Sequence, residues 1–184
     1  LHLLVRDVGD LQHREVSELA SGVAVDEVAV LVLRFDETHR VALPEDHPEL
    51  VFAREHGIRV SKRDELLAEI IDEKNLKLIA VSGTHGKTTT SGLLVWVFKQ
   101  LGLPVSYSVG ASLSYGPSGA FDPESQYFIY ECDEFDRNML HFEPYLSLIT
   151  SLGHDHVDTY PTVDEYREAF VRFLEQSNSA VLWE

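Results

Sequence analysis

Leu78-Ile79-Ala80-Val81-Ser82-Gly83-Thr84-His85-Gly86-Lys87-Thr88-Thr89-Thr90 is the stretch on which the fold turns. Four apolar residues stop at Ser82-Gly83, a loop bounded by glycines follows, and Ser91–Gln100 carries a helical pattern. Strand, glycine-rich turn and helix in that order grip the phosphates of a nucleotide. Glycines let main-chain N–H groups approach the oxygens, and the helix N-terminus adds partial positive charge. A lysine reaches the terminal phosphates and the hydroxyl after it holds Mg2+. Gly83, Thr84, His85, Gly86, Lys87, Thr88 and Thr89 are therefore the candidate cofactor-binding residues. The loop is a variant. The pattern G-x-x-x-x-G-K-[ST] requires glycine at position 81, where this chain has Val81, and its first glycine is Gly83.

The 184 residues suffice for one domain or two small ones with a buried core. A hydrophobic content of 44% and a charged content of 25% are ordinary for a globular protein. Lys+Arg 15 against Asp+Glu 31 leave a net charge of −16, which argues against a general binder of nucleic acid or anionic membranes. In so acidic a chain a nucleotide needs a focused cationic site, supplied by Lys87, and a metal. One cysteine, Cys132, excludes a disulfide framework and fits a reducing cytoplasm. No apolar run reaches membrane-spanning length and the N-terminus lacks a signal-peptide layout, so the expectation is a soluble cytoplasmic protein. Nothing in the sequence bears on oligomeric state.

The chain divides near residue 75, which gives expected domains over 1–75 and 76–184. Val23–Phe35 predicts one or two buried strands, and Pro44–Pro48 a break. Pro48–His56 predicts a helix ending at Gly57, with a strand at Ile58–Val60 after it. Ser61-x-x-Asp64 resembles a capping box opening a helix with Leu66, Leu67, Ile70 and Ile71 on one face, closed by Glu73-Lys74-Asn75. The helix behind the loop spans 88–101 and stops at Gly102, with Pro104 just beyond. Val105–Val109, Tyr127–Cys132 and Tyr145–Ser151 predict strands. Thr162-x-x-Glu165 opens a last helix facing Tyr166, Phe170, Phe173 and Leu174 inward, and Ala180–Trp183 begins one more strand. Strands alternating with helices argue for an α/β fold with a mostly parallel sheet.

Two acidic clusters follow the loop, each at a predicted strand end. In Glu131-Cys132-Asp133-Glu134-Phe135-Asp136, Glu131 closes its strand and is placed to meet Mg2+ beside the loop. Asp133, Glu134 and Asp136 carry much less weight, because carboxylates in a row also suit a solvated loop. The second cluster is Gly153-His154-Asp155-His156-Val157-Asp158. His-x-His invites zinc, yet no cysteine or third histidine at a recognisable spacing supports it. A histidine and carboxylates beside a phosphate loop better suit a second divalent cation or a phosphate contact. His2, His13, His39, His47, His56 and His141 are scattered and carry no functional signal.

GTHGKTTT, then ECDEFDRNMLHFEP, then LGHDHVDTY resembles the central ATPase domain of the Mur ligases, and within them the branch that joins L-alanine to UDP-N-acetylmuramate. His47-Pro48-Glu49-Leu50 with Ala53-Arg54-Glu55 and Gly57-Ile58-Arg59-Val60 resembles the end of that family's Rossmann-like UDP-binding domain. The resemblance covers roughly residues 42–184. It implies an ATP- and Mg2+-dependent ligase with UDP-N-acetylmuramate and L-alanine as substrates and no nucleic-acid or membrane partner. Lys87 and the backbone of Gly83–Thr88 would hold the β- and γ-phosphates. Thr88 and Glu131 would bind a first Mg2+ and His156 would help hold a second, which makes Lys87, Glu131 and His156 the implied catalytic set. A substrate carboxylate would attack the γ-phosphate to give an acyl phosphate, and an amine would displace phosphate to form the amide. Several members carry a carbamylated lysine in the helix after the D-H-x-D motif. Here Glu168-Ala169-Phe170 has none, as in the alanine-adding branch.

Residues 1–41 depart from the family, with Val5-Arg6-Asp7-Val8-Gly9-Asp10 where a glycine-rich turn is expected. Set against the family, the 184 residues are expected to stop inside the central domain, short of the third domain that binds the incoming amino acid, and to be inactive alone. The alternatives are a murein-recycling ligase that adds a tripeptide to the same sugar nucleotide, a generic P-loop ATPase or kinase, and a non-catalytic nucleotide-binding module. A generic P-loop enzyme would be expected to end its metal-binding strand in aspartate rather than Glu131.

Overall fold

A computed structural model of the chain describes Leu3–Leu4, Val30–Leu33 and Asp46–Leu182. The readings made at residues 5–29 and 34–45 and at Trp183 lie outside the described residues. The chain forms two compact units, Leu1–Leu67 and Ala68–Glu184.

The first unit holds a parallel sheet in the order β1-β2-β3, formed by Leu3–Leu4, Val30–Leu33 and Arg59–Lys62. Helix α1, Pro48–Glu55, starts on the proline expected at a first helical position and closes with the Ile58 N–H on the Ala53 carbonyl at 2.8 Å. Ser61 does not cap the next helix, α2, Arg63–Glu73. It is buried in β3, in register with Val32, and its hydroxyl donates to Glu65 at 3.2 Å. The Lys62 N–H also donates to Glu65, at 3.1 Å, so the carboxylate reaches back to the residue before the helix. The box is shifted by one residue because strand pairing has claimed Ser61. Helix α2 ends at Asn75 in the left-handed region (φ 57), with the Leu76 N–H on the Ile71 carbonyl and the Asn75 N–H on Asp72.

The second unit is a six-stranded sheet in the order β6-β5-β7-β4-β8-β9. Its strands are Lys77–Ser82 (β4), Ser106–Ser108 (β5), Gly119–Ala120 (β6), Tyr127–Glu131 (β7), Leu146–Ile149 (β8) and Ala180–Val181 (β9). Every pair is parallel except β5 with β6, so the mostly parallel expectation holds. β4 lies between β7 and β8 and is buried from Leu78 to Ser82, as a strand covered on both faces must be. Side chains alternate across the sheet. Ile79, Ile129 and Tyr107 share one face and pack with Val95 of helix α3, Lys87–Gln100. Tyr130 takes the other face and meets Phe142, ring centroids 5.1 Å apart.

Helix α4, Val163–Glu175, buries Tyr166, Ala169, Phe170 and Phe173 along one stripe. Tyr166 packs on Phe170 at 5.1 Å and edge-on to Tyr160 at 5.2 Å. The Thr162 hydroxyl accepts the Glu165 N–H at 3.2 Å, the cap expected from sequence. Thr162→Ala should cost about 1 kcal/mol in chemical denaturation and leave nucleotide binding unchanged. A loss below a few tenths of that would remove the cap from the account. No described helix is long and apolar enough to cross a membrane.

Candidate nucleotide- and metal-binding site

Ligands of open parallel sheets sit beyond the carboxyl ends of the strands, and here β4, β7 and β8 end side by side. β4 passes into the loop at Gly83, β7 ends on Glu131, and β8 leads through Thr150 to His156. Val81 pairs with Glu131 and Ser82 with Ile149, so sheet register alone sets the loop between the two acidic clusters.

Gly83 has φ 124, and a Cβ there would lie 2.6 Å from Thr150 Oγ1 and 2.7 Å from the Ser151 carbonyl. Gly86 is the left-handed N-cap of α3 (φ 86, ψ 0). The first helical bond runs from the Thr90 N–H to Gly86 at 2.9 Å, which leaves the N–H groups of Lys87, Thr88 and Thr89 ahead of the ladder. No acidic residue sits in the first turn of α3, whereas α2 begins with Asp64 and Glu65 and α4 with Asp164 and Glu165. The dipole end of α3 is therefore open to an external anion.

The loop is braced from β8. The Thr150 hydroxyl lies 2.6 Å from the His85 carbonyl and 3.0 Å from that of Ser82, and the His85 N–H donates to Ser151 Oγ at 2.8 Å. Thr84 turns away from the loop mouth. Its hydroxyl donates to the Gly153 carbonyl at 2.7 Å, accepts the Gly153 N–H at 2.8 Å and meets Tyr166 Oη at 2.8 Å. Burial pushes the Tyr166 phenol up to about 12, against the lowering effect of its Thr84 bond, so it stays protonated at neutral pH. The His85 side chain is exposed.

Lys87 Nζ donates to the Gly83 carbonyl at 2.7 Å and to Glu134 Oε2 at 2.9 Å. Glu134 is fully buried, and the Tyr160 hydroxyl pins its main-chain carbonyl at 2.7 Å. Its other oxygen, Oε1, has no hydrogen-bond partner among the described residues and lies 3.7 Å from His156 Nε2. Burial raises the Glu134 carboxyl above its ordinary range, and Lys87 opposes that rise. Sequence reasoning gave Glu134 little weight. Four carboxylates in six residues carry no mark of which one the sheet will bury. The backbone around it is strained: Asp136, Arg137 and His156 all take positive φ, at 50, 58 and 54.

Glu131 is reached by the Thr88 hydroxyl at 2.8 Å, the Ser91 hydroxyl at 3.3 Å and the Gly110 N–H at 2.8 Å. All three donors are neutral, and the Thr88 hydroxyl keeps a lone pair that can turn to a cation. Asp133, Glu134 and His156 form a second group, with one ligand atom from each within 4.8 Å of the others. Hard carboxylate oxygens and a hydroxyl suit Mg2+, and the imidazole of His156 is the softer donor beside them. The structure thus brings Thr88 to Glu131 and links Lys87 to His156 through Glu134. His154 is engaged elsewhere, with Nε2 2.8 Å from the Tyr160 carbonyl.

A description of the Mur ligase middle domain matches residues 81–184, the segment that carries the whole of this site beyond Val81. The chain belongs to the Mur ligase family. It is 41% identical over 132 residues to a UDP-N-acetylmuramate–L-alanine ligase of Salinispora arenicola, covering 72% of this chain and 25% of that protein. A protein of the same name from Syntrophomonas wolfei is 42% identical over 135 residues, covering 73% of this chain and 29% of the relative. This Mur ligase chain thus spans about a quarter to a third of the length of such relatives. Among solved structures it is similar to the UDP-N-acetylmuramate-alanine ligase of Thermotoga maritima, with a TM-score of 0.72 at 22% identity over 88% of this chain and 36% of that one. The UDP-N-acetylmuramate:L-alanyl-gamma-D-glutamyl-meso-diaminopimelate ligase of Neisseria meningitides gives 0.66 at 21% identity, over 90% of this chain and 52% of that one. These structural likenesses establish the shared Mur ligase fold.

Proposed function

We propose that the chain is the ATP-binding part of a ligase that joins L-alanine to UDP-N-acetylmuramate, with residues 1–75 contributing to a UDP-substrate domain and 76–184 forming the central ATP-binding domain. The observation that carries the reading is the set of three contacts at the mouth of the loop. Lys87 is fixed by Gly83 and Glu134, and Thr88 touches Glu131 at 2.8 Å, all at the carboxyl ends of adjacent strands. Identities of 40–42% to curated alanine ligases favour that substrate pair over a tripeptide.

Gly83–Thr89 would wrap the β- and γ-phosphates with main-chain N–H groups, and Lys87 would turn its remaining N–H to the γ-phosphate. Thr88 and Glu131 would hold one Mg2+, and His156, beside Glu134, would help hold another. The metal supplies charge neutralisation and alignment of the phosphate oxygens. Two anions must meet when a substrate carboxylate attacks the γ-phosphate, so fixed positive charge lowers the barrier most where it needs no reorganisation. The lysine is positioned before the nucleotide arrives. The amine of alanine would then attack the acyl carbon, forming the amide N–C bond as the C–O bond to phosphate breaks and inorganic phosphate leaves. We place the activity in the cytoplasm, in keeping with the buried free thiol of Cys132.

Turnover by the full-length polypeptide tests the substrates: ADP release should require both UDP-N-acetylmuramate and L-alanine, and release driven equally well by a tripeptide would overturn the assignment. Calorimetric titration of this chain tests the site. ATP should bind more tightly with Mg2+ than in EDTA, and Glu131→Ala should remove about tenfold or more of that metal-dependent gain. A gain that survives Glu131→Ala overturns the placement of the metal.

A further inference from the structure

Glu131 is the most finely held carboxylate in the site, and one of its holders has no side chain. Gly110 follows β5, which pairs with β7 (Ser108 opposite Tyr130), and the Val109 N–H on the Ser118 carbonyl at 2.8 Å anchors the turn. That register carries the Gly110 main chain past the end of β7. Its N–H donates to Glu131 Oε2 at 2.8 Å, while the Thr88 hydroxyl takes Oε1. A Cβ built on Gly110 would stand 2.7 Å from Oε1, 2.9 Å from Cδ and 3.0 Å from Oε2. All three heavy atoms of the carboxyl group therefore lie against the bare Cα.

We propose that Gly110 is a positioning residue for the metal-binding carboxylate, holding Oε2 with its N–H and leaving, by its lack of a side chain, the space in which the carboxyl group sits with Oε1 toward the cation. The inference rests on the reading that Glu131 holds Mg2+. The glycine is needed for room and not for conformation, since its φ lies outside the left-handed region that the chain's Gly57, Gly83, Gly86 and Gly102 occupy. An alanine backbone is therefore tolerated at 110. The clash it creates is with the free end of a flexible side chain, so Glu131 swings away and the fold stays. This is the opposite of Gly83, where a Cβ meets the main chain of Ser151. Sequence pattern offered no hint of Gly110, because it lies in a different loop from every motif residue.

The test compares the parent chain, Gly110→Ala and Glu131→Ala by three measurements: ATP affinity in EDTA, ATP affinity in Mg2+, and binding of Mn2+ alone followed by its electron spin resonance. Gly110→Ala should keep the EDTA affinity and the melting temperature. It should lose about tenfold or more of the metal-dependent gain and weaken Mn2+ to a similar degree, the scale of other groups that orient metal ligands. An unchanged metal-dependent gain in Gly110→Ala, with Glu131→Ala losing it, overturns the proposal and leaves the metal site standing. Loss of EDTA affinity together with a lowered melting temperature also overturns it, by making position 110 a general support of the fold. A gain retained in Glu131→Ala sinks the metal reading and this inference with it.

Discussion

Lys87→Met should abolish nucleotide binding and destabilise the chain, with a deficit that depends on pH. The side chain of Lys87 is one half of a pair with Glu134 at 2.9 Å, and the other half is wholly enclosed. Removing one partner of such a pair leaves the buried carboxylate without its lysine, facing only the His156 ring at 3.7 Å, which costs about 3–5 kcal/mol. The sign of the pH effect follows from Glu134. Burial already lifts its carboxyl above the ordinary value while Lys87 pulls it down. A carboxyl with a folded pKa above its unfolded one binds more protons in the folded state. Its contribution is fully present below the unfolded pKa and is lost as pH rises through the folded one. Without Lys87 the folded pKa climbs further. The deficit of the variant is therefore largest at pH above that value and shrinks as acid protonates Glu134. Urea unfolding of the parent and Lys87→Met at neutral and mildly acidic pH measures it. A deficit that stays constant between the two conditions overturns the pairing as its cause, and ATP affinity unchanged by the substitution overturns the loop assignment itself.

Gly83→Ala should have a comparable effect by a different route. At φ 124 an L-residue is strained, and its Cβ would enter a space closed by Thr150 Oγ1 at 2.6 Å, the Ser151 carbonyl at 2.7 Å and the Ser151 nitrogen at 2.8 Å. Two of those three atoms are main chain, and the Thr84 N–H binds the same Ser151 carbonyl at 3.2 Å. The neighbours cannot step aside without parting the loop from β8. Strain and overpacking together should cost about 3 kcal/mol or more, with ATP affinity falling in both Mg2+ and EDTA. At Gly86 the nearest atom to a Cβ is Thr150 Cβ at 3.7 Å, so Gly86→Ala carries backbone strain alone. Equal losses at the two positions, measured by urea denaturation, would refute the steric account of Gly83.

The parts of this chain readable in its sequence are those in which one local signal meets no competitor. β4 and α3 combine an apolar run, a glycine loop and a long helical pattern, and the helix appears where the pattern places it. Thr162 caps α4 because nothing else competes for it. Ser61 carries an equally good local signal, but the sheet takes it for β3 and the cap passes to Glu65. β6 is illegible beforehand: Gly119–Ala120 has no strand character and pairs only because Tyr107 and Ser108 lie opposite. Phe135–His141 winds into a 3-10 segment through two left-handed residues, which no helical periodicity announces. In the site, Lys87, Thr88 and Glu131 stand next to strand ends and could be named from order alone. Glu134 and Gly110 owe their roles to burial and to the passage of one loop over another strand. Those facts exist only once β4, β5 and β7 are side by side.

The placement of β4 between β7 and β8 has a kinetic consequence. The loop, Glu131 and His156 come from three separate stretches of chain, and β4 touches neither neighbour until long loops have closed. Pairings of this kind form slowly, and before they form no local segment displays the phosphate loop together with its carboxylate. Nucleotide can therefore recognise the finished sheet but none of its precursors. It will slow the rate at which the second unit unfolds and leave the rate at which it folds untouched.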